Sequence, residues 1–245
     1  MKIISIILFF LIFFSFVFTG CLPIVPTEEE PEPADRVVLV ELYMTLGCPA
    51  CEIVEPILEQ LVKEYGYEQL VLAEQAGWGD YSTEEISDRY KWYFPNFSDR
   101  SVPNILFDGM NDRIHGASNY QQIKNKIDAE LKKGSKIIIT ASRDENENSA
   151  IISGTIENVS KTILYDLEIN GMLYVEKKET DLAYLVTDIF EEQKLEIDIL
   201  RPTEIYEFSI ELNVDNFSTE ESHGIIFIQS PNSASKEVLQ ACYLN

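Results

Sequence analysis

The apolar pattern of this chain changes period once, near Gly134, and that change limits the folds open to it. Before it, strand-like and helix-like stretches alternate. Val37–Met44 (VVLVELYM) is a near-continuous apolar run rich in β-branched residues, as expected of a buried strand. From Cys51, the residues Ile53, Val54, Ile57, Leu58, Leu61 and Val62 recur at helical spacing, with Gly66 as a stop. Gln69–Ala73 reads as a second strand, Asn104–Phe107 as a third and Arg113-Ile114 as a short fourth. Ser82 with Glu85, and Ser118 with Gln121, have capping-box spacing. Helices are therefore expected from Ser82 towards Tyr93, and along Tyr120, Ile123, Ile127 and Leu131. After Lys136 the helical period is absent. KIIIT, AIISGTIE, ILYDLEI, MLYVEK, KLEIDIL, YEFSIELNV, GIIFIQ and VLQACYL follow one another at short spacing, which predicts an all-β sandwich of about seven strands.

Charge excludes some partners. The chain carries 42 acidic and 19 basic side chains, a formal net charge of −23. Nucleic-acid binding rests on Lys and Arg contacts to phosphates, so no nucleic acid is expected as partner, and docking on an anionic membrane surface is disfavoured. The first twenty residues differ from the rest. Lys2 precedes an apolar run from Ile3 to Phe18, closed by Thr19-Gly20-Cys21, the pattern of an export signal. Phe18-Thr19-Gly20-Cys21 resembles the bacterial lipobox, which implies lipid attachment at Cys21 and a membrane anchor. Residues 21–36 hold four prolines and four glutamates between Leu22 and Arg36 and read as a stiff, solvated linker. The expected location is extracytoplasmic and membrane-anchored, in the periplasm or at the cell surface.

Cys48-Pro49-Ala50-Cys51 lies between the first strand and the first helix. Three readings are open: a redox pair, half of a metal site, or a structural clip. Zinc needs four ligands, and only His115, His223, Cys242 and carboxylates could complete a set, so no metal is expected. A Cys-x-x-Cys in an oxidising compartment is naturally redox-capable. With Cys48 at the N-cap and Pro49 at N1, the free N–H groups and the helix dipole favour negative charge beside the Cys48 sulfur. Cys51, one turn on, faces the core and is placed to attack a mixed disulfide formed at Cys48. Glu52 and Glu55 nearby oppose a thiolate. Cys242, in the last strand, reads as a buried free thiol. Trp78, Tyr81, Tyr90, Trp92, Tyr93 and Phe94 form an aromatic-rich insertion, read either as packing or as a rim beside Cys48.

These features together resemble the thioredoxin superfamily over Val37 to Lys133. The strand–GCPAC–helix order, Pro56 five residues after the second cysteine, and Ser101-Val102-Pro103 before a strand all match. The CPxC form is closer to glutaredoxins and periplasmic disulfide oxidases than to thioredoxin itself. Gly47 and Glu52 stand where thioredoxins carry Trp and Lys. The resemblance implies an α/β thioredoxin-like domain over 37–134, with a mixed central sheet flanked by helices. An immunoglobulin-like β-sandwich over 135–245 would follow. It implies that Cys48 attacks and Cys51 resolves, and that Pro49, Val102 and a cis Pro103 line the substrate groove. Glu41, on the preceding strand, is the expected proton acceptor for Cys51. No separate cofactor is implied; protein thiols and disulfides are the substrates, with a further redox partner. The activity implied is thiol–disulfide exchange. The competing reading is a surface binding or assembly lipoprotein in which the Cys48–Cys51 disulfide is only a staple.

Overall fold

The computed structural model describes residues 34–79, 81–145, 149–177, 182–213 and 222–244. The apolar leader, Cys21 and nearly all of the acidic linker lie outside the described residues. No helix among the described residues is long and apolar enough to cross a membrane.

The first portion runs β1 (Val38–Met44), α1 (Cys51–Tyr65), β2 (Leu70–Ala76), α2 (Glu84–Tyr93), β3 (Asn104–Phe107), β4 (Asp112–His115) and α3 (Tyr120–Leu131). All seven residues of β1 are buried, as its uninterrupted apolar run requires. Helix α1 turns Cys51, Val54, Leu58, Leu61 and Val62 inward, and ends at Gly66, whose N–H caps the Val62 carbonyl. The two later helices start one residue beyond their expected caps. Thr83, not Ser82, accepts the N–H of Ile86, and Asn119, not Ser118, forms a capping box with Gln122. Two adjacent residues in each place were able to cap. Burial of Ile86 and Tyr90, and of Ile123 and Ile127, selects the second.

The second portion is entirely β: β5 (Ile137–Glu145), β6 (Ser149–Asn158), β7 (Leu164–Lys177), β8 (Leu182–Ile189), β9 (Leu195–Leu200), β10 (Ile205–Asn213), β11 (Ser222–Gln229) and β12 (Val238–Leu244). β5, β6 and β10 form one antiparallel sheet. It packs on β7, β9, β11 and β12 through Ile152, Ile156, Leu173, Ile226 and Ile228. The first, second and sixth strands of this portion thus oppose the third, seventh and eighth, the arrangement of an immunoglobulin-like sandwich. ILYDLEI and MLYVEK, expected as separate strands, are one continuous β7.

Strand β8 was not anticipated, and it joins the two portions. The large sheet has the order β12-β11-β7-β8-β2-β1-β3-β4, with β9 also on β7. β8 runs parallel to β2, with Leu185 opposite Glu74. β11 is consequently covered on both faces. Ile226 and Ile228 face the smaller sheet, while Ile225 and Phe227 enter the core shared with β1, α1 and α2. Arg36 fastens the chain's entry to this body. Its guanidinium reaches Asp108 at 2.7 Å and the Val238 carbonyl at 2.8 Å. The Asp108-Gly109 turn has φ of 47° and 73°. A Cβ at Gly109 would collide with the Lys236 carbonyl, so only glycine lets the 230–237 loop approach there.

Candidate active site at the Cys48–Cys51 pair

β1 delivers the chain to the turn Thr45–Ala50. Gly47 makes this turn with φ of 73°, a conformation that side chains with a Cβ rarely adopt. The helical ladder starts at Cys51, with Ala50 at the cap position, two residues later than the sequence implied. Cys48 still performs capping functions. Its carbonyl accepts the N–H groups of Cys51 at 2.9 Å and Glu52 at 3.1 Å, and its sulfur accepts the Cys51 N–H at 3.3 Å. Cys48 is half-buried, Pro49 exposed and Cys51 fully buried, and both cysteines are in the thiol form. Burial, followed by the Cys48 sulfur as hydrogen-bond partner and charged neighbour, pushes the Cys51 thiol up to about 12. Cys51 therefore stays protonated at neutral pH unless a base takes its proton.

The Val102–Pro103 peptide is cis. Tyr43 of β1 lies opposite Asn104 of β3, so Val102-Pro103 runs past the end of β1 from which the cysteine turn departs. Pro103 is buried and Val102 half-buried. The loop is braced on both sides. Tyr90 donates its hydroxyl to the Ser101 carbonyl at 3.1 Å, and the Pro103 carbonyl accepts the Gly116 N–H at 2.9 Å. Ser101 Oγ and His115 Nε2 lie 2.5 Å apart. His115 was unassigned from sequence; a lone histidine gave no signal until β4 folded back beside β3.

Glu41 is not placed to accept a proton from Cys51. Its carboxylate holds Arg89 by two bonds, Nε at 2.7 Å and Nη2 at 2.9 Å. It also accepts from Tyr93 Oη at 2.8 Å and Gln75 Nε2 at 2.7 Å. Burial pushes this carboxyl upward, but the Arg89 charge and these hydrogen bonds outweigh it and hold it below the ordinary value. It is a saturated carboxylate on the α2 side of the sheet. α1 lies on the other side, the face carrying Leu42 and its register neighbour Glu74.

That other face carries acids. Glu55 follows Cys51 by one turn of α1 and is half-buried. Burial, then the charges of Glu52 and Glu59, raise it to about 7. Glu74 is fully buried; one oxygen accepts the Tyr184 N–H at 3.1 Å and the other, Oε1, has no partner. Burial raises it to about 8, with Glu59 and Glu55 adding to the effect and the Tyr184 N–H opposing it.

Two apolar side chains are exposed beside the pair. Leu46 is 45% exposed and Ile53 51%. Of the aromatic insertion, Tyr90, Tyr93 and Phe94 are buried, and Trp78 is exposed with its ring edge-on to Tyr90. Trp92 instead packs against Arg89 and Lys236, whose ammonium lies 4.1 Å from its ring centroid. Cys242 is half-buried, and burial raises its thiol above the ordinary value. Among the described residues no three His, Cys, Asp or Glu side chains converge as metal ligands.

No family model matches the chain, and no curated protein sequence matches it. Solved structures do. HBP35 of Porphyromonas gingivalis superposes with a TM-score of 0.69 at 12% identity, covering 86% of this chain and 75% of that one. Protein AGR_C_4864 from Agrobacterium tumefaciens gives 0.57 at 15% identity, covering 86% of this chain and 95% of its own. At such identities the likeness is one of fold, and its extent takes in both portions. The chain therefore has a thioredoxin-like mixed sheet with a Cys-x-x-Cys pair at the start of its first helix, continued by an antiparallel β-sandwich.

Proposed function

We propose that this protein is a membrane-anchored, extracytoplasmic thiol–disulfide oxidoreductase acting on protein substrates. One observation carries the reading: a half-buried Cys48, whose sulfur accepts the Cys51 N–H, precedes a fully buried Cys51 at the end of β1 past which the cis Val102–Pro103 peptide runs. An accessible attacker paired with a shielded resolver is the geometry that two-step exchange needs. Cys48 attacks a substrate disulfide, and Cys51 then displaces the substrate from Cys48. Val102 offers its backbone to the substrate chain, Pro103 and Pro49 shape the groove, and Leu46 and Ile53 supply apolar contact. The pair itself carries the electrons, a partner thiol or disulfide resets it, and no other cofactor takes part. The lipobox-like Cys21 and the acidic linker support tethering at a membrane outside the cytoplasm.

The test is the reduction potential of the pair, titrated on the full chain against glutathione or dithiothreitol buffers. A value between about −120 and −270 mV, with a fast-reacting Cys48, is expected. A value below about −300 mV with two slow thiols would leave the stapled binding protein as the better reading.

A further inference from the structure

We propose that Glu55 is the proton acceptor for the Cys51 thiol in the resolving step, an assignment that rests on the redox reading above. Three structural observations point to it. First, Cys51 and Glu55 stand at i and i+4 on α1, which brings their Cβ atoms to roughly 5–6 Å, and Glu55 is the carboxylate whose charge acts on Cys51. Second, Glu41 lies across the sheet with both oxygens committed to Arg89, Tyr93 and Gln75. Third, α1 lies on β2, whose buried Glu74 keeps Oε1 without a partner and feels the charges of Glu59 and Glu55. The charges that act on Glu55 are all acids: Glu52 and Glu59 from its own helix, and Glu74 from β2. In such company a carboxylate binds protons near neutral pH, where an acid–base catalyst is most effective.

The step balances as follows in the reductive direction. A Glu55 oxygen takes the proton from Cys51 Sγ. The Sγ electron pair forms the Cys48–Cys51 bond as the bond between Cys48 and the substrate sulfur breaks. The substrate sulfur leaves as a thiolate and is protonated by solvent, and Glu55 returns its proton to solvent. The cysteine pair is oxidised and the substrate disulfide reduced.

The test follows release of thionitrobenzoate from the full chain, with Cys21 and Cys242 replaced by serine, after reaction with Ellman's reagent. Cys48 releases the first equivalent and Cys51 the second; Cys51→Ser marks the first phase alone. The expected second-phase rate rises with pH through a limb near 7. Glu55→Gln loses that limb and slows the phase by about 10²-fold or more. Glu52→Gln, which removes the stronger of the two acid charges raising Glu55, keeps the limb but moves it to lower pH. A merely structural role would move neither limb. Circular dichroism and the urea midpoint verify that each variant is folded. A Glu55→Gln profile that superimposes on the parent, with Cys51 still resolving, overturns the assignment and leaves the oxidoreductase reading standing. Absence of any second phase in the parent overturns both.

Discussion

At the scale of single residues, Glu41 and Arg89 show how a site can hide in a sequence. The side chains of β1 alternate across the sheet, so a shift of one position moves a carboxylate to the opposite face. Glu41 was legible as an acid close to the cysteines, but its face was not, because Arg89 lies 48 residues away. Separation along the chain also concealed Glu74, which lies opposite an ordinary Leu42 of β1 and takes its hydrogen bond from Tyr184, 110 residues away. Arg89 is buried against Glu41, Tyr93, Gln229 and the Phe227 ring. Replacing it with alanine strands a buried carboxylate, so we expect a loss of about 3–5 kcal/mol in urea unfolding. Arg89→Met combined with Glu41→Gln should cost less than the two single changes together, because neither charge is then left alone.

At the scale of elements, periodicity identified every strand and α-helix up to Leu131, and most strands after it. What it missed was register and joining. Neighbouring cap residues left the starts of α2 and α3 ambiguous by one position. Thr83→Ala should cost about 1 kcal/mol, whereas Ser82→Ala should stay within about 0.5 kcal/mol, as read from chemical denaturation midpoints. β8 escaped for a different reason. The burial of LAYLVTDI does not alternate, so it gave no period-two signal, and nothing within it says that its partners are β7 on one side and β2 on the other.

At the scale of the whole molecule, the two portions share a sheet and a core. Phe227 belongs to β11, yet it packs with residues of β1, α1 and α2. Its replacement by alanine should cost about 3–5 kcal/mol. Loss should appear together in tryptophan fluorescence, which reports Trp78 and Trp92 of the first portion, and in far-ultraviolet circular dichroism, which is fed mainly by the strands. Separate transitions by the two probes would mean that the portions melt independently. Strand β8 has one more consequence. A β2 with nothing beside it would offer a seven-residue strand, five of its residues apolar, with open hydrogen-bonding groups to any neighbouring chain, the template from which intermolecular sheets grow. β8 lies along that edge, paired where Leu185 stands opposite Glu74, and Glu74 secures it by accepting the Tyr184 N–H. At the opposite margin, β4 is only four residues long and carries Asp112 and Arg113. The appended strands therefore act as a guard against self-association, keeping that edge of the first portion from pairing with a second copy.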